Sequence, residues 1–557
     1  MSAKMIVPSE AEVLYVPLGG AGQIGMNMYC YGHAGKWIVV DCGISFAHDG
    51  LPGIELLMAD PEFILEQRDN IAALVITHAH EDHIGAISYM IEELGCPLYA
   101  TAFTAAMIRS RLEEAELTRK VKMHVIAPNQ PFSVPSFNLR YVPLTHSIPE
   151  SMGLLIETKI GTIFHSGDWK FDSKPLLGQP TDMAALTAIG DRGVLAMTCD
   201  STNVLERGHS GSESEVMEGL VPLIAAQNGR VAVTLFASNV ARMQTIARAA
   251  DANGRSVALV GRSLLKVYDI AVNLGIIDAF PNLVGEDDIG YIPADKILYL
   301  CTGCQGERRS ALARIAEKSH PYVRLGSGDT VIFSSREIPG NEIAIQYMQN
   351  ALVRQGVRII GASDAKTHVS GHPCQEELAA MYGAIRPKIA IPMHGELRHL
   401  TAHAEFALNH GATKSLVVEN GQLIRITHNG AVSQIDEIDS GILALDGEQW
   451  ISMKSNVIKE KHKFNWNGGM VVSLAMNAKG AVVGIPSVSL MGIVDESDVD
   501  AVSERIVEAA IDAVDNMSKS DRADDNYAAE KIRLAAQKVI MDVCGKKPLG
   551  RVHIIRV

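Results

Sequence analysis

No apolar run in this chain of 557 residues reaches the ~18 residues a membrane-crossing helix requires. The opening stretch MSAKMIVPSEAEV lacks the long apolar segment of a secretory leader. Positive charge is not in excess either: 50 basic residues against 64 acidic ones leave a net charge of -14. That argues against the bulk basic surface of many nucleic-acid binders. It leaves room for a local basic groove, and for acidic side chains offset by bound cations. The eight cysteines are scattered, and Cys301 and Cys304 form a CxxC with no second pair. Half of a zinc ribbon is therefore missing, and buried reduced thiols are expected. Internal repeats and low-complexity tracts are absent. What remains is 47% hydrophobic and 20% charged, an ordinary globular composition. The length predicts three or so structural units, and the expected location is cytoplasmic.

Strand-like and helical text alternate in three textures. Residues 12–43 read as strand, glycine loop, strand, turn, strand, and IAALVIT at 71–77 is an apolar run suited to a buried strand. Short strands follow at 97–100, 122–127, 138–143, 153–158 and 161–165. Frequent strands with interspersed helices predict an α/β sandwich over 1–205. From 206 to 360, VAVTLF, SVALVG, ILYLCT and TVIFSS alternate with helical stretches, the rhythm of a parallel sheet. Strand-rich text returns over 361–450. The basic, polar stretch at 451–464 is expected to be a linker, and 465–557 a small α/β unit.

GAGQIG at 20–25, with Asp41 downstream, matches a dinucleotide fingerprint literally. A crossover helix of ten or more residues must follow such glycines. Only MNMYCYGHAGK intervenes, broken by Gly32 and Gly35. A β-hairpin is expected instead.

The sharpest feature is ITHAHEDHIGA at 76–86. His78 and His80, two apart in extended backbone, point the same way and can share one metal ion. Asp82 and His83 fall at the start of a helix, turned toward a second position. Imidazole with carboxylate suits zinc or manganese. The plain alternative, Asp82 as a helix cap among loop histidines, leaves three histidines and two acids in six residues unexplained. Downstream, His146, Asp168 and His394 each follow an apolar run. One ion would take His78, His80 and His146. The other would take Asp82, His83 and His394, with Asp168 bridging. Asp41, at a strand end, would orient a ligand from behind. Two ions ~3.5–4 Å apart activate water and stabilise charge on a phosphate.

In order, these residues resemble the motifs of the metallo-β-lactamase fold superfamily. CDSTN at 199–203, HVSGH at 368–372 and MHGE at 393–396 resemble the three further motifs of its β-CASP branch. PLGGAGQIGMNMY, TLFASNVARMQ, TGCQGE, SSREIPGNE and HVSGHPCQEE are similar to stretches of the ribonuclease J family. Cys304 and ERRS at 307–310 depart from its usual text without touching a candidate ligand. The resemblance implies a metallo-β-lactamase αββα sandwich, an inserted β-CASP domain at 206–360 and a C-terminal domain for oligomerisation. It implies a two-metal ribonuclease holding zinc, or alternatively manganese. That enzyme would degrade single-stranded RNA 5′→3′ from monophosphate ends, with endonuclease activity besides, in rRNA maturation and mRNA decay. A homodimer is implied, with a homotetramer as the alternative, and no membrane.

By the same resemblance Asp82, His372 and Asp200 are catalytic, His372 as the general acid oriented by Asp200. His368, Val369, Ser370 and Gly371 offer a nest for a terminal phosphate, completed by Ala237, Ser238, Asn239 and Arg262. Arg242, Arg262, Lys266 and Arg336 are candidates for an RNA-backbone strip, and Phe46 and Trp169 for base stacking. A lactonase or thioesterase would share HxHxDH but would need neither the 206–360 insert nor HVSGH. A DNA nuclease is disfavoured by His394, and a non-catalytic scaffold by the full ligand set.

Overall fold

The computed structural model describes residues 5–47 and 50–557; the leader reading thus falls partly on residues outside the described ones. Two units divide the chain: one formed by 1–46 and 56–443, the other by 47–55 and 444–557.

In the larger unit an eight-stranded sheet runs in the order 432–437, 422–427, 12–19, 28–33, 36–40, 71–75, 98–100, 123–125. A seven-stranded sheet runs 131–134, 137–143, 152–158, 161–165, 196–200, 389–393, 414–415. Strand alternation builds the layers. Leu154 and Ile156 join Tyr15, Val40 and Val75 in the core between the sheets. Leu155, between them in sequence, joins Phe164, Met197, Leu378, Met381 and Tyr382 under the outer helices. With side chains repeating every two residues, one strand serves both interfaces. This is the α/β sandwich the strand spacing predicts.

Residues 231–360 contribute a separate, wholly parallel five-stranded sheet, in the order 256–260, 297–301, 231–234, 330–333, 358–360. Its strands are buried almost throughout, as helices on both faces require. The loops FASN, SSRE and HVSGH, together with GRS and TGCQGE, all leave its carboxyl edge, where open α/β sheets place their ligands.

The glycine motif is followed by an antiparallel hairpin, Met28–His33 against Lys36–Val40, with no crossover helix. Its Ala21–Gly22 pairs instead with Gly395–Glu396.

In the smaller unit a three-stranded sheet, 482–491, 469–476, 549–556, is covered on one face by helices Val499–Asp515 and Asp525–Cys544. Val502, Ile506, Ala510 and Val514, four residues apart, meet Met470, Val472, Leu474 and Met476. The expected linker is corrected here: Asn456–Asn467 is a helix. Ser455 accepts a hydrogen bond from the Ile458 N–H at 3.4 Å, and Gly468 ends the helix with φ 72°. Charge hid the helix, but both end signals stood in the sequence.

Ile156→Ala is expected to cost about 2–5 kcal/mol by cavity formation, read as a lower urea midpoint. Exposed Glu157→Ala on the same strand should stay within about 0.5 kcal/mol. Equal effects would contradict the two-faced assignment of this strand.

Candidate active site

The candidate residues lie at the carboxyl ends of strands from both sheets. Asp41 follows Lys36–Val40, His78 to His83 follow Ile71–Val75, His146 follows Phe137–Pro143, and Asp168 follows Gly161–His165. Asp200 ends Ala196–Asp200 and His394 follows Ile389–Met393. Asp41 and His394 adopt left-handed backbone, φ 64° and 52°, which is uncommon for non-glycine residues outside functional turns. The His394 turn is braced by the glycine motif, its N–H donating to Gly20 O at 2.6 Å. Gly20 itself has φ +82°, and a Cβ there would meet the Tyr29 hydroxyl at 2.2 Å.

Two donor sets result. His78 Nε2 and His146 Nε2 lie 3.2 and 3.1 Å from His80 Nδ1, and 3.8 and 4.0 Å from Asp168 Oδ2. His83 Nε2 is 3.2 Å from Asp168 Oδ2 and 3.5 Å from Asp82 Oδ2, which lies 3.2 Å from His394 Nε2. Metal–nitrogen bonds of ~2.0–2.1 Å in a tetrahedron put ligand atoms about 3.3–3.4 Å apart. The shorter spacings match that edge.

Tautomers agree with this. His146 Nδ1 donates to Gly371 O at 2.6 Å and His83 Nδ1 to Asp41 Oδ2 at 2.7 Å. Each Nδ1 thus carries the ring's proton, so when neutral each ring turns its Nε2 lone pair into the site. Asp41 is itself fixed by the Thr77 N–H at 2.8 Å and the Thr77 hydroxyl. Asp168 Oδ1 is buried without a hydrogen bond, although His394 Nδ1 is 3.2 Å away. An unpaired buried carboxylate oxygen among converging imidazoles fits a divalent cation. His78, His80, His146 and Asp168 could hold one ion, and Asp82, His83, Asp168 and His394 another.

The protonation states differ between the sets. Burial holds His80 down to about 4, and His78 and His146 well below their ordinary value. Burial also opposes charge on His83 and His394, but the carboxylates outweigh it: Asp168, Asp82 and Asp41 raise His83 well above its ordinary value, and Asp168, Asp200 and Asp82 bring His394 to about 10.

His372 Nδ1 donates to Asp200 Oδ2 at 2.7 Å, and the ring is 22% exposed. Burial lowers its pKa, but the Asp200 carboxylate more than compensates and raises it. Asn203 ties this loop down, donating to Ser370 Oγ at 2.7 Å and His372 O at 3.1 Å, while Arg336 donates to Asn203 Oδ1 at 3.2 Å. Gly371 must be glycine, since a Cβ would come 2.7 Å from His146 Cε1. A cleft of about 910 Å³ beside it is lined by Ser210, Ser335, Arg336, Lys366, His368, Val369 and Ser370.

Other expectations are corrected. Arg242 is fully buried, paired with Glu213 at 2.7 Å and bonded to Ser334 and Thr367 carbonyls, so it braces the insert and offers nothing to a surface strip. Trp169 is core, whereas Phe46 is 67% exposed. Asn239 is buried and spends its side-chain oxygen capping helix Val240–Ala252; Ala237 and Ser238 are half-buried beside it. Arg262 follows strand Ser256–Val260 at one edge of the sheet, whereas Thr367 and His368 meet Ser334 and Arg242, beyond the ends of strands Thr330–Phe333 and Val231–Thr234, two to three places away. The sheet order therefore does not bring it to HVSGH. Lys266 is bound to Glu114 at 2.8 Å. Cys301 and Cys304, by contrast, are buried free thiols, as expected.

Asn27, overlooked in the sequence, is fully buried inside the site. Its Nδ2 donates to Asp82 Oδ2 at 3.2 Å and lies 3.0 Å from His83 Nε2. Its Oδ1 accepts from the Tyr29 hydroxyl at 2.7 Å. The N-x-Y pair after the glycines was the available signal.

Fold and donor sets together define a metallo-β-lactamase-type hydrolase with a parallel insert beside its site. Four family models match: the beta-lactamase superfamily domain over 36–217, the ribonuclease J beta-CASP domain over 228–352, the Zn-dependent metallo-hydrolase RNA specificity domain over 362–416, and the ribonuclease J C-terminal domain over 456–557. The chain is 40% identical to ribonuclease J of Sinorhizobium meliloti, over 98% of each chain. Against ribonuclease J of Thermus thermophilus it is 35% identical, over 86% of this chain and 84% of that one. A crystal structure of an Enterococcus faecalis V583 protein of unknown function shares the fold over 75% of this chain and all of its own, with a TM-score of 0.53 at 16% identity. The chain belongs to the ribonuclease J family and is a metal-dependent ribonuclease.

Two predictions follow from the geometry. Near pH 7 burial favours the neutral form of His78, His80 and His146, while the surrounding carboxylates favour the protonated form of His83 and His394 in the metal-free chain. Zinc titration by calorimetry in buffers of different ionisation enthalpy should show proton release for one ion and almost none for the other. The affinity of the proton-releasing ion should rise with pH up to about 10. Equal release for both would contradict the assignment. Asn27→Ala should weaken that same ion by roughly 10–100-fold and spare the other; unchanged affinity for both would remove Asn27 as a positioning residue.

Proposed function

We propose that this ribonuclease works with two divalent ions, zinc first and manganese as the alternative, and degrades single-stranded RNA 5′→3′ from monophosphorylated ends. Endonucleolytic cleavage, and roles in rRNA maturation and mRNA decay in the cytoplasm, belong to the same reading. So does a homodimer, with a homotetramer as the alternative. The observation that carries it is the joining of the His372–Asp200 pair to both donor sets through Asp168, which lies 3.9 Å from His372 Nδ1.

His78, His80, His146 and Asp168 would hold one ion, and Asp82, His83, Asp168 and His394 the other. When bound, the ions lower the pKa of attacking water and neutralise charge developing on the phosphate. The chain's own residues do the rest. Asp82 and Asp168 orient the reacting groups. His372, held through Nδ1 by Asp200, would donate a proton from its other nitrogen to the leaving 3′ oxygen. The product is a nucleoside 5′-monophosphate. Backbone N–H groups around Ser370 and Gly371 supply a nest for the terminal phosphate. Arg336, 58% exposed and only loosely paired with Glu206 at 3.4 Å, stands at the cleft wall.

Metal-loaded protein with 5′-monophosphorylated and 5′-triphosphorylated single-stranded RNA tests the direction, with His80→Ala as control. Mononucleotides released faster from the monophosphate are expected; no degradation of either RNA under zinc or manganese would sink the reading. His372→Ala should lower kcat by about 10²–10⁴-fold with metal content retained. Near-wild-type turnover would remove His372 as the general acid.

A further inference from the structure

Helix Asn456–Asn467 carries three side chains on one exposed stripe, Lys459, Lys463 and Trp466, spaced four and then three residues apart. Trp466 is 77% exposed and Phe464 42%, while Trp37 and Trp169 are fully buried. The opposite face anchors the helix through buried Ile458 and through Lys461, bound to Asp446 at 2.5 Å. Its one acid, Glu460, is taken by Arg551 at 3.0 Å. Lys459 and Lys463 are held by no carboxylate among the described residues. Asn467 accepts from the Lys547 N–H at 3.0 Å, so further cationic sequence adjoins the end of the helix.

We propose that this stripe is a docking platform for single-stranded RNA, built from residues that take no part in the catalytic cleft. Bases would stack on the Trp466 indole and phosphates would meet Lys459 and Lys463. Alternating aromatic and cationic groups are what sequence-tolerant single-strand binding uses. Charge complementarity singles the stripe out: the whole chain carries -14, so an unneutralised pair of lysines beside an exposed indole marks a local site for a polyanion. A second copy of the chain fits less well, because lysine is depleted from protein interface cores, and lysine and asparagine flank the indole here.

The test uses the full chain carrying His80→Ala, so that RNA survives, and a single strand of roughly 30 nucleotides. Tryptophan fluorescence should be quenched on binding. Trp466→Phe should abolish the quench while changing affinity less than about three-fold. Trp466→Ala should weaken binding roughly ten-fold. Lys459→Gln with Lys463→Gln should weaken it similarly and reduce the salt slope by about 1.4. With His80 restored, turnover of an RNA of about 3 nucleotides, shorter than typical single-strand binding footprints, should be unchanged in all three. No quench, or unchanged affinity in both the alanine and the lysine variants, overturns the proposal. So does a shift in sedimentation of Trp466→Ala with RNA affinity unchanged, which would assign the face to another copy of this chain.

Discussion

The carboxylate of Asp168 lies within 4.0 Å of five imidazoles, those of His78, His83, His146, His372 and His394. It is 2% exposed, and Asp41 and Asp200 are completely buried near it. Such a group of acids cannot be stable in a dry interior without matching positive charge. In the chain alone, protons on His83 and His394 meet part of that demand. In the proposed reading two divalent ions replace those protons. The site is then a cation cage whose charge balance is set by its acids, and whose selectivity for position is set by the hydrogen bonds behind each ring.

Those hydrogen bonds also explain why the parallel insert and the sandwich depend on each other. The Gly371 carbonyl, in a loop leaving the inserted sheet, fixes the tautomer of His146 on the sandwich. Asp200, on a sandwich strand, fixes His372 on the loop. Asn203 and Arg336 close the same circuit. A displacement of the loop would therefore alter a donor set and the candidate proton donor together. Buried Arg242, bonded across to Glu213, Ser334 and Thr367, stiffens the base of that loop. Its charge is used for architecture.

Much of this was legible. The HAHEDH cluster, and strand ends followed by His or Asp, pointed to the residues that the fold brings together in the two donor sets, because a buried strand must emerge into a loop and polar chemistry sits there. The hairpin after the glycines was legible because no helix fits eleven residues broken by two glycines. Less visible was what depends on three-dimensional order. Arg262 looked suitable in its loop, but strand order, which a sequence does not display, sets it at the far side of the sheet. Arg242 looked like a surface cation, and its partner Glu213 is 29 residues away in the chain. Asn27 is hard to see because a neutral amide two residues before a tyrosine is a weak signal; only the fold brings it to Asp82. Helix Asn456–Asn467 reads as a linker in the sequence because it has one buried residue, Ile458, and so no apolar period.

The central claim is that one carboxylate serves two ions. Metal content per chain, by mass spectrometry on folded, zinc-loaded protein, tests it most directly when Asp168→Ala is set beside His146→Ala. The account predicts that His146→Ala loses one ion and that Asp168→Ala loses both. An Asp168→Ala chain that keeps its circular dichroism and still retains an ion as tightly as His146→Ala would contradict it.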